Sequence, residues 1–432
     1  MSTEVIFIGA LLLSMLVFLA QSVLHLGLKL DPALLFGLCL YFDMVGFFYK
    51  KVMPGNALVI LVGLPLILVL IIVLQRPLRP LGMLDNEGLW LWAAFFGYCI
   101  LSFSWSPQQS GGLSKLLLLF AHGVVPGLYT YIFYKKYKTF SWSFAALFGL
   151  AYAVVHLTFG VYSAEYPGRL TLPGDNPIFN ARISLMTVTV CLWGRGIPLW
   201  LRLAAGGTAI VSAIQTQSRG PLAFFLLANL LIAGWIVYRE LRTKGGRSRQ
   251  LSKWLKVLAA AGIIAGAFGF VMKDTLLEAV ESSRFSVLID TNQLQGDDNY
   301  LGRVGLQLDA LQTFTEHPFF GVGLGGHTPP VTDEFPHNVL LEMAGELGIA
   351  GLFLWLAAFL YTVYAAREHP VLLVLLLQSL GSALVSGDFG YNFEYVFIAM
   401  VVLAFKPKRE YEGAAIYEES PLSYHRSRLR RS

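Results

Sequence analysis

The chain has 432 residues, of which 56% are apolar and only 14% charged, and its mean hydropathy is +0.61. An ordinary soluble domain carries roughly a quarter charged residues, so a soluble enzyme with one hydrophobic core is excluded, as is a nucleic-acid binder, because the net charge of +5 sits in short connecting runs. The apolar runs are continuous and do not alternate with period 2, which argues against a β-barrel and leaves an all-α integral membrane protein.

Three apolar runs, 5–23, 33–49 and 57–74, open the chain. The first lacks a preceding basic region and is followed by an uncharged continuation, so it reads as an anchor and not a cleaved signal. Further spans are expected over about 89–103, 115–134, 142–160, 180–194, 198–214, 220–238, 254–272, 337–366, 371–387 and 390–405. With two of the first three runs crossing, as Lys50 and Lys51 favour, the total is about 12 transmembrane helices. Cys39, Cys99 and Cys191 lie inside apolar runs without metal or disulfide spacing and read as small buried hydrophobes.

Charge then sets sidedness. Residues 239–256 hold seven basic residues against Glu240, Lys135, Lys136 and Lys138 form a second cluster, and Arg426, Arg428, Arg430 and Arg431 mark the tail. The positive-inside rule makes these cytoplasmic. The turns 104–114, 161–179, 214–220 and 387–392 are then external, together with one long loop, 273–336, which has ten acidic residues and only Lys273, Arg284 and Arg303 as cations. Apolar spacing over Asp274–Leu288 and Gly302–Glu316 predicts that this external loop is partly helical. The organisation expected is N-terminal transmembrane helices over 1–272, the loop over 273–336, C-terminal transmembrane helices over 337–405 and a cytoplasmic tail over 406–432.

Ionisable residues at membrane depth are costly and therefore candidates for function. Arg219, in Thr216-Gln217-Ser218-Arg219-Gly220-Pro221, Arg182, in Asn176-Pro177-Ile178-Phe179-Asn180-Ala181-Arg182, and Arg303 all map to the external side. Snorkelling to headgroups or a local ion pair is the plainer alternative, strongest for Arg182 and weakest for Arg219, which stands beside a Gly-Pro break. The glycine-rich run His317–Gly326 suits either a tight turn or a phosphate cradle. His337, in Pro336-His337-Asn338, is the external histidine at a helix start, and imidazole can accept a proton near neutrality. In the helix that follows, Gly345, Gly348 and Gly351 have the spacing of close helix contact. No metal-ligand pattern is visible, and no metal or cofactor is expected.

In this order the motifs Thr216-Gln217-Ser218-Arg219-Gly220, Arg303, Pro318-x-x-Gly321-x-Gly323 and His337-Asn338 with Glu346-x-Gly348-x-x-Gly351 resemble the O-antigen ligase/polymerase superfamily. Trp105-Ser106 is similar to a further family feature, and the resemblance covers roughly residues 89–405. It implies a multi-pass glycosyltransferase of the bacterial inner membrane with its site facing the periplasm. The implied donor is O-antigen linked to undecaprenyl pyrophosphate, the implied acceptor is lipid A-core, and the surrounding partners are membrane lipids. On that reading Arg219 and Arg303, with Arg182 as a third, bind pyrophosphate, and His337 is the general base. The alternatives are an O-antigen polymerase of the same superfamily and a lipid-linked glycan transporter or flippase.

Overall fold

The computed structural model describes residues 32–41, 44, 47, 85–162, 164–244, 298–327 and 335–405. In chain order the helices are α1 (Pro32–Leu40), α2 (Glu87–Ser102), α3 (Gln109–Leu118), α4 (Val125–Tyr137), α5 (Trp142–Phe159), α6 (Pro177–Trp193), α7 (Leu199–Gln215), α8 (Arg219–Lys244), α9 (Asp298–Glu316), α10 (Val339–Ala366), α11 (Pro370–Ala383) and α12 (Phe393–Phe405). A π-helical turn, Leu119–Val124, joins α3 to α4. The runs 5–23 and 57–74, the span 254–272, the segment Asp274–Leu288 and the tail lie outside the described residues, as does much of 33–49.

Local chemistry sets where these helices start. The side chains of Asn86, Asn176 and Asn338 accept backbone N–H bonds at the starts of α2, α6 and α10, replacing partners that the first turn of a helix lacks. Proline occupies the first turn of α6 and of α11, where its missing N–H costs nothing. The mostly helical chain agrees with the all-α expectation; between α5 and α6 it adds one small antiparallel hairpin, Val161–Tyr162 with Leu170–Thr171.

Among the described residues four helices are long and apolar enough to cross a membrane: Gln109–Tyr137, Trp142–Phe159, Arg219–Arg242 and Val339–Ala366. Five shorter apolar helices accompany them. This is a mostly helical membrane protein. The most enclosed elements are α6, buried from Asn180 to Cys191, and α12, buried from Glu394 to Ala404. A helix apolar on all sides belongs inside a bundle, and α12 packs against α4, α10 and α11 while α6 packs against α5, α7, α8 and α11. By contrast, α8 turns Leu226, Leu227, Leu230 and Leu231 outward, half exposed or more.

Two helices fall short of the predicted spans. With 14 and 13 residues, α11 and α12 are each only about 20 Å long, against roughly 30 Å of hydrocarbon core. The expected span 371–387 stops at Ala383, and the chain through 384–392 forms a non-helical linker buried from Ser386 to Gly390. Irregular backbone at such depth survives only when protein groups satisfy it, and the residues that satisfy this linker turn out to be the charged ones.

The connections sort into two ends. At one, Ser106 donates to Leu324 O (2.8 Å), Arg169 to Thr216 O (3.0 Å), Arg182 to Ser386 O (2.9 Å) and Arg303 to Val385 O (3.2 Å). At the other, Tyr134 stacks on Phe405, Phe405 meets His369, and Arg239 pairs with the neighbouring Glu368 at 3.4 Å. Lys135, Lys136 and Arg239, which the charge rule puts on one side, thus share an end. The connections it puts on the other side share the opposite one.

Candidate active site

The linker between α11 and α12 is where the expected residues gather. Arg303, on α9, donates from Nη1 to the Val385 carbonyl. Gly220, the residue after Arg219, lies so close to Val385 that a Cβ added there would stand 2.8 Å from Val385 Cγ2. His337 in turn feels the Arg303 charge. Arg303 thus meets the linker at Val385, the start of α8 packs on the same residue through Gly220, and His337 lies within reach of the Arg303 charge.

Each is held by its element. Arg219 opens α8 directly after Thr216–Ser218, where Gln217 takes a left-handed φ of 48°. That turn is pinned by a cation sequence reasoning missed. Arg169, 7% exposed, reaches Thr216 O with Nε and Ser218 Oγ with Nη2 at 2.7 Å, while Ser218 Oγ donates to Pro177 O at 3.0 Å. Arg169 sits in an unpatterned loop, so spacing gave no signal for it.

His337 immediately precedes the Asn338 cap, whose Oδ1 accepts the N–H groups of Leu340 and Leu341 at 3.0 and 3.3 Å. The histidine itself has φ 52°, a sparsely populated conformation for a residue with a side chain, and its ring meets Phe335 edge-on. Nδ1 is buried and has no hydrogen-bond partner among the described residues. Burial first, and the Arg303 guanidinium second, push the imidazole down to about 4, so it is neutral at physiological pH.

The third expected arginine, Arg182, has a different setting. It is 1% exposed, and its guanidinium faces protein acceptors: Asn392 Oδ1 at 2.7 Å, the carbonyls of Ser382 and Ser386 at 2.9 Å each, and the Glu394 carboxylate at 3.7 Å. Those acceptors are on the linker and its flanks. Asn392 Nδ2 adds bonds to Ser386 O and Asp388 O.

The glycine-rich run is a packing device. Val322 N–H donates to Gly345 O and Gly323 N–H to Glu346 O, while Pro318 O and Phe319 O accept from Ile349 and Ala350. Leu324 N–H goes to Ser102 Oγ. The turn thereby fills a break in α10 at Gly348, whose φ of 63° and ψ of −166° are not helical. The N–H groups of Gly321, Val322, Gly323, Leu324 and Gly326 are all directed at protein acceptors, which favours the tight-turn reading over a phosphate cradle. A Cβ on Gly323 would stand 2.6 Å from Ser106 Cα, so the turn packs directly on the Trp105-Ser106 segment. Among the described residues no group of three or more His, Cys, Asp or Glu side chains is placed to hold a metal ion.

Comparison with known proteins bears on the same region. Residues 204–356, which include Arg219, Arg303 and His337, match the family described as O-antigen ligase. The chain is also 27% identical over 329 residues to an O-antigen ligase of Pseudomonas aeruginosa, covering 71% of this chain and 72% of that protein. No solved structure matches it.

Proposed function

We propose, for a chain that belongs to the O-antigen ligase superfamily, a glycosyltransferase that moves O-antigen from undecaprenyl pyrophosphate onto lipid A-core at the periplasmic face of the inner membrane. The observation that carries this reading is Arg303 on the Val385 carbonyl, with the start of α8 packed on the same residue through Gly220 and the buried His337 within reach of the Arg303 charge. The acceptor hydroxyl attacks the anomeric carbon of the donor and gives its proton to His337. The bond from that carbon to the phosphate oxygen breaks, and undecaprenyl pyrophosphate leaves with the electron pair. Direct displacement inverts the anomeric centre.

Charge accumulates on the leaving pyrophosphate, and in this reading Arg219 and Arg303 stabilise it. Guanidinium stays cationic and binds phosphate oxygens in a planar fork, so it supplies the charge without a metal. Arg182, turned to the linker carbonyls, is assigned the supporting task of holding the backbone that meets Arg303. In this reading the apolar helices beside the site hold the lipid tails of both substrates. The twelve-span topology, with 273–336 in the periplasm, belongs to this same reading.

The test is transfer by purified protein in nanodiscs supplied with undecaprenyl-pyrophosphate-linked glycan and lipid A-core, with and without EDTA. Wild type should transfer under both conditions. Arg219→Lys should insert normally and lose about ten- to a hundredfold, the worth of a charge-assisted bidentate contact. Full activity in the Arg219→Ala, Arg303→Ala double variant would remove the clamp.

A further inference from the structure

Beneath the site lies a buried ion cluster that the mechanism above does not use. Lys115, on α3 and 5% exposed, places Nζ 2.5 Å from Glu342 Oε1 and 2.7 Å from Glu346 Oε1. The two glutamates are one turn apart on α10 and share a face. Glu342 Oε2 also accepts the Phe389 N–H at 2.8 Å, which joins the cluster to the α11–α12 linker. The linker passes so near that a Cβ on Gly390 would stand 2.7 Å from Lys115 Cα.

The break at Gly348 gives this cluster its meaning. It interrupts the hydrogen-bond ladder of α10, so the short first segment, Val339–Leu347, takes little orientation from the long spanning segment beyond it. Both glutamates are on that short segment, five and nine positions after His337. A buried ion pair is seldom more stabilising than well-packed apolar residues of the same size, because desolvation offsets the attraction. What such a pair does supply is a fixed register. We infer that the Lys115–Glu342–Glu346 triad is a positioning device of the transfer site, fixing the first turns of α10, and with them His337, against the linker whose Val385 carbonyl holds Arg303.

This inference rests on His337 being the base, and the experiment separates the two. Lys115→Met alone would leave the buried carboxylates of Glu342, Glu346 and the neighbouring Asp388 without their cation and risk the fold. The informative variant is the neutral triad, Lys115→Met with Glu342→Gln and Glu346→Gln, made in the full chain with His337 and again with His337→Gln. Gln at 342 can still accept the Phe389 N–H. With His337 present, the neutral triad should insert and melt like wild type and keep its donor KM within about twofold. Its kcat should fall about ten- to a hundredfold, since a misplacement of about 1 Å can cost that much. In the His337→Gln background the same change should have little further effect.

Wild-type kcat in the neutral triad, or an equal loss in both backgrounds, overturns the inference. If the triple variant fails to insert, Glu342→Gln alone is read by the same criteria, because it keeps the Lys115 cation opposite Glu346 and Asp388. His337→Gln transferring at the wild-type rate would sink the assignment of the base instead. A slow His337→Gln beside a fast neutral triad would sink only the triad.

Discussion

At the scale of single residues, two groups of similar sequence appearance take opposite roles because of what surrounds them. Arg182 and Arg219 both stand near the starts of apolar helices at the site end of the bundle, yet Arg182 is enclosed by linker carbonyls and Glu394. Arg182→Met should therefore cost about 3–5 kcal/mol of stability, as expected when one partner of a buried charged network is removed. A thermal melt in detergent reads it, and a melt unchanged from wild type would contradict it. His337 sets the pH dependence. A base works only when neutral, so the transfer rate should rise with pH through the imidazole's titration, placed at about 4 by burial and Arg303. A single-turnover profile should be flat from pH 6 to 7.5 and fall only in the more acid range, whereas an acid limb centred near 6.5 would contradict the buried setting. The stability sign follows: the unfolded imidazole, near 6.5, binds its proton before the folded one, so this group makes the fold less stable as pH drops from about 6.5 towards 4.

At the scale of elements, the break in α10 and the turn that fills it form one unit. Gly348 has a backbone conformation open essentially to glycine, and a Cβ there would stand 2.5 Å from the Phe319 carbonyl. Gly348→Ala should cost at least about 1–3 kcal/mol from the backbone alone and lower transfer with it. Gly97→Ala, where an added Cβ meets nothing within 4 Å, should leave both at wild-type values. Equal melting of the two variants would show that the turn is not seated in the break. The close packing at Gly345, the helix start at Asn338 and the helix over Gly302–Glu316 were legible in the sequence, because each follows from spacing or local capping. The Gly345, Gly348 and Gly351 spacing, by contrast, read as helix contact and gave no sign of the break at Gly348. The linker was not legible either. Leu384 and Val385 continue the apolar pattern of α11, so nothing local marks the end at Ala383. Lys115 was equally silent, since its partners lie 227 and 231 residues away and only the folded bundle pairs them.

At the scale of the whole molecule, the helices divide the charged connections between two ends, with Lys135, Lys136 and Arg239 opposite the candidate site. Cysteines introduced at exposed positions 109 and 319, at the site end, should react with a membrane-impermeant reagent in cells whose inner membrane is intact. A cysteine at 239 should not, and the reverse pattern would invert the topology. The central claim, that this end of the bundle joins a lipid-linked glycan to lipid A-core, is tested most directly by product analysis. Purified full-length protein is given both substrates in nanodiscs, and every glycan-bearing lipid is resolved by mass. The account predicts glycan covalently attached to lipid A-core, with the new linkage inverted, and a rate about 10²- to 10⁴-fold lower for His337→Gln. Longer glycan still on undecaprenyl pyrophosphate, or no new covalent product at all, would contradict it.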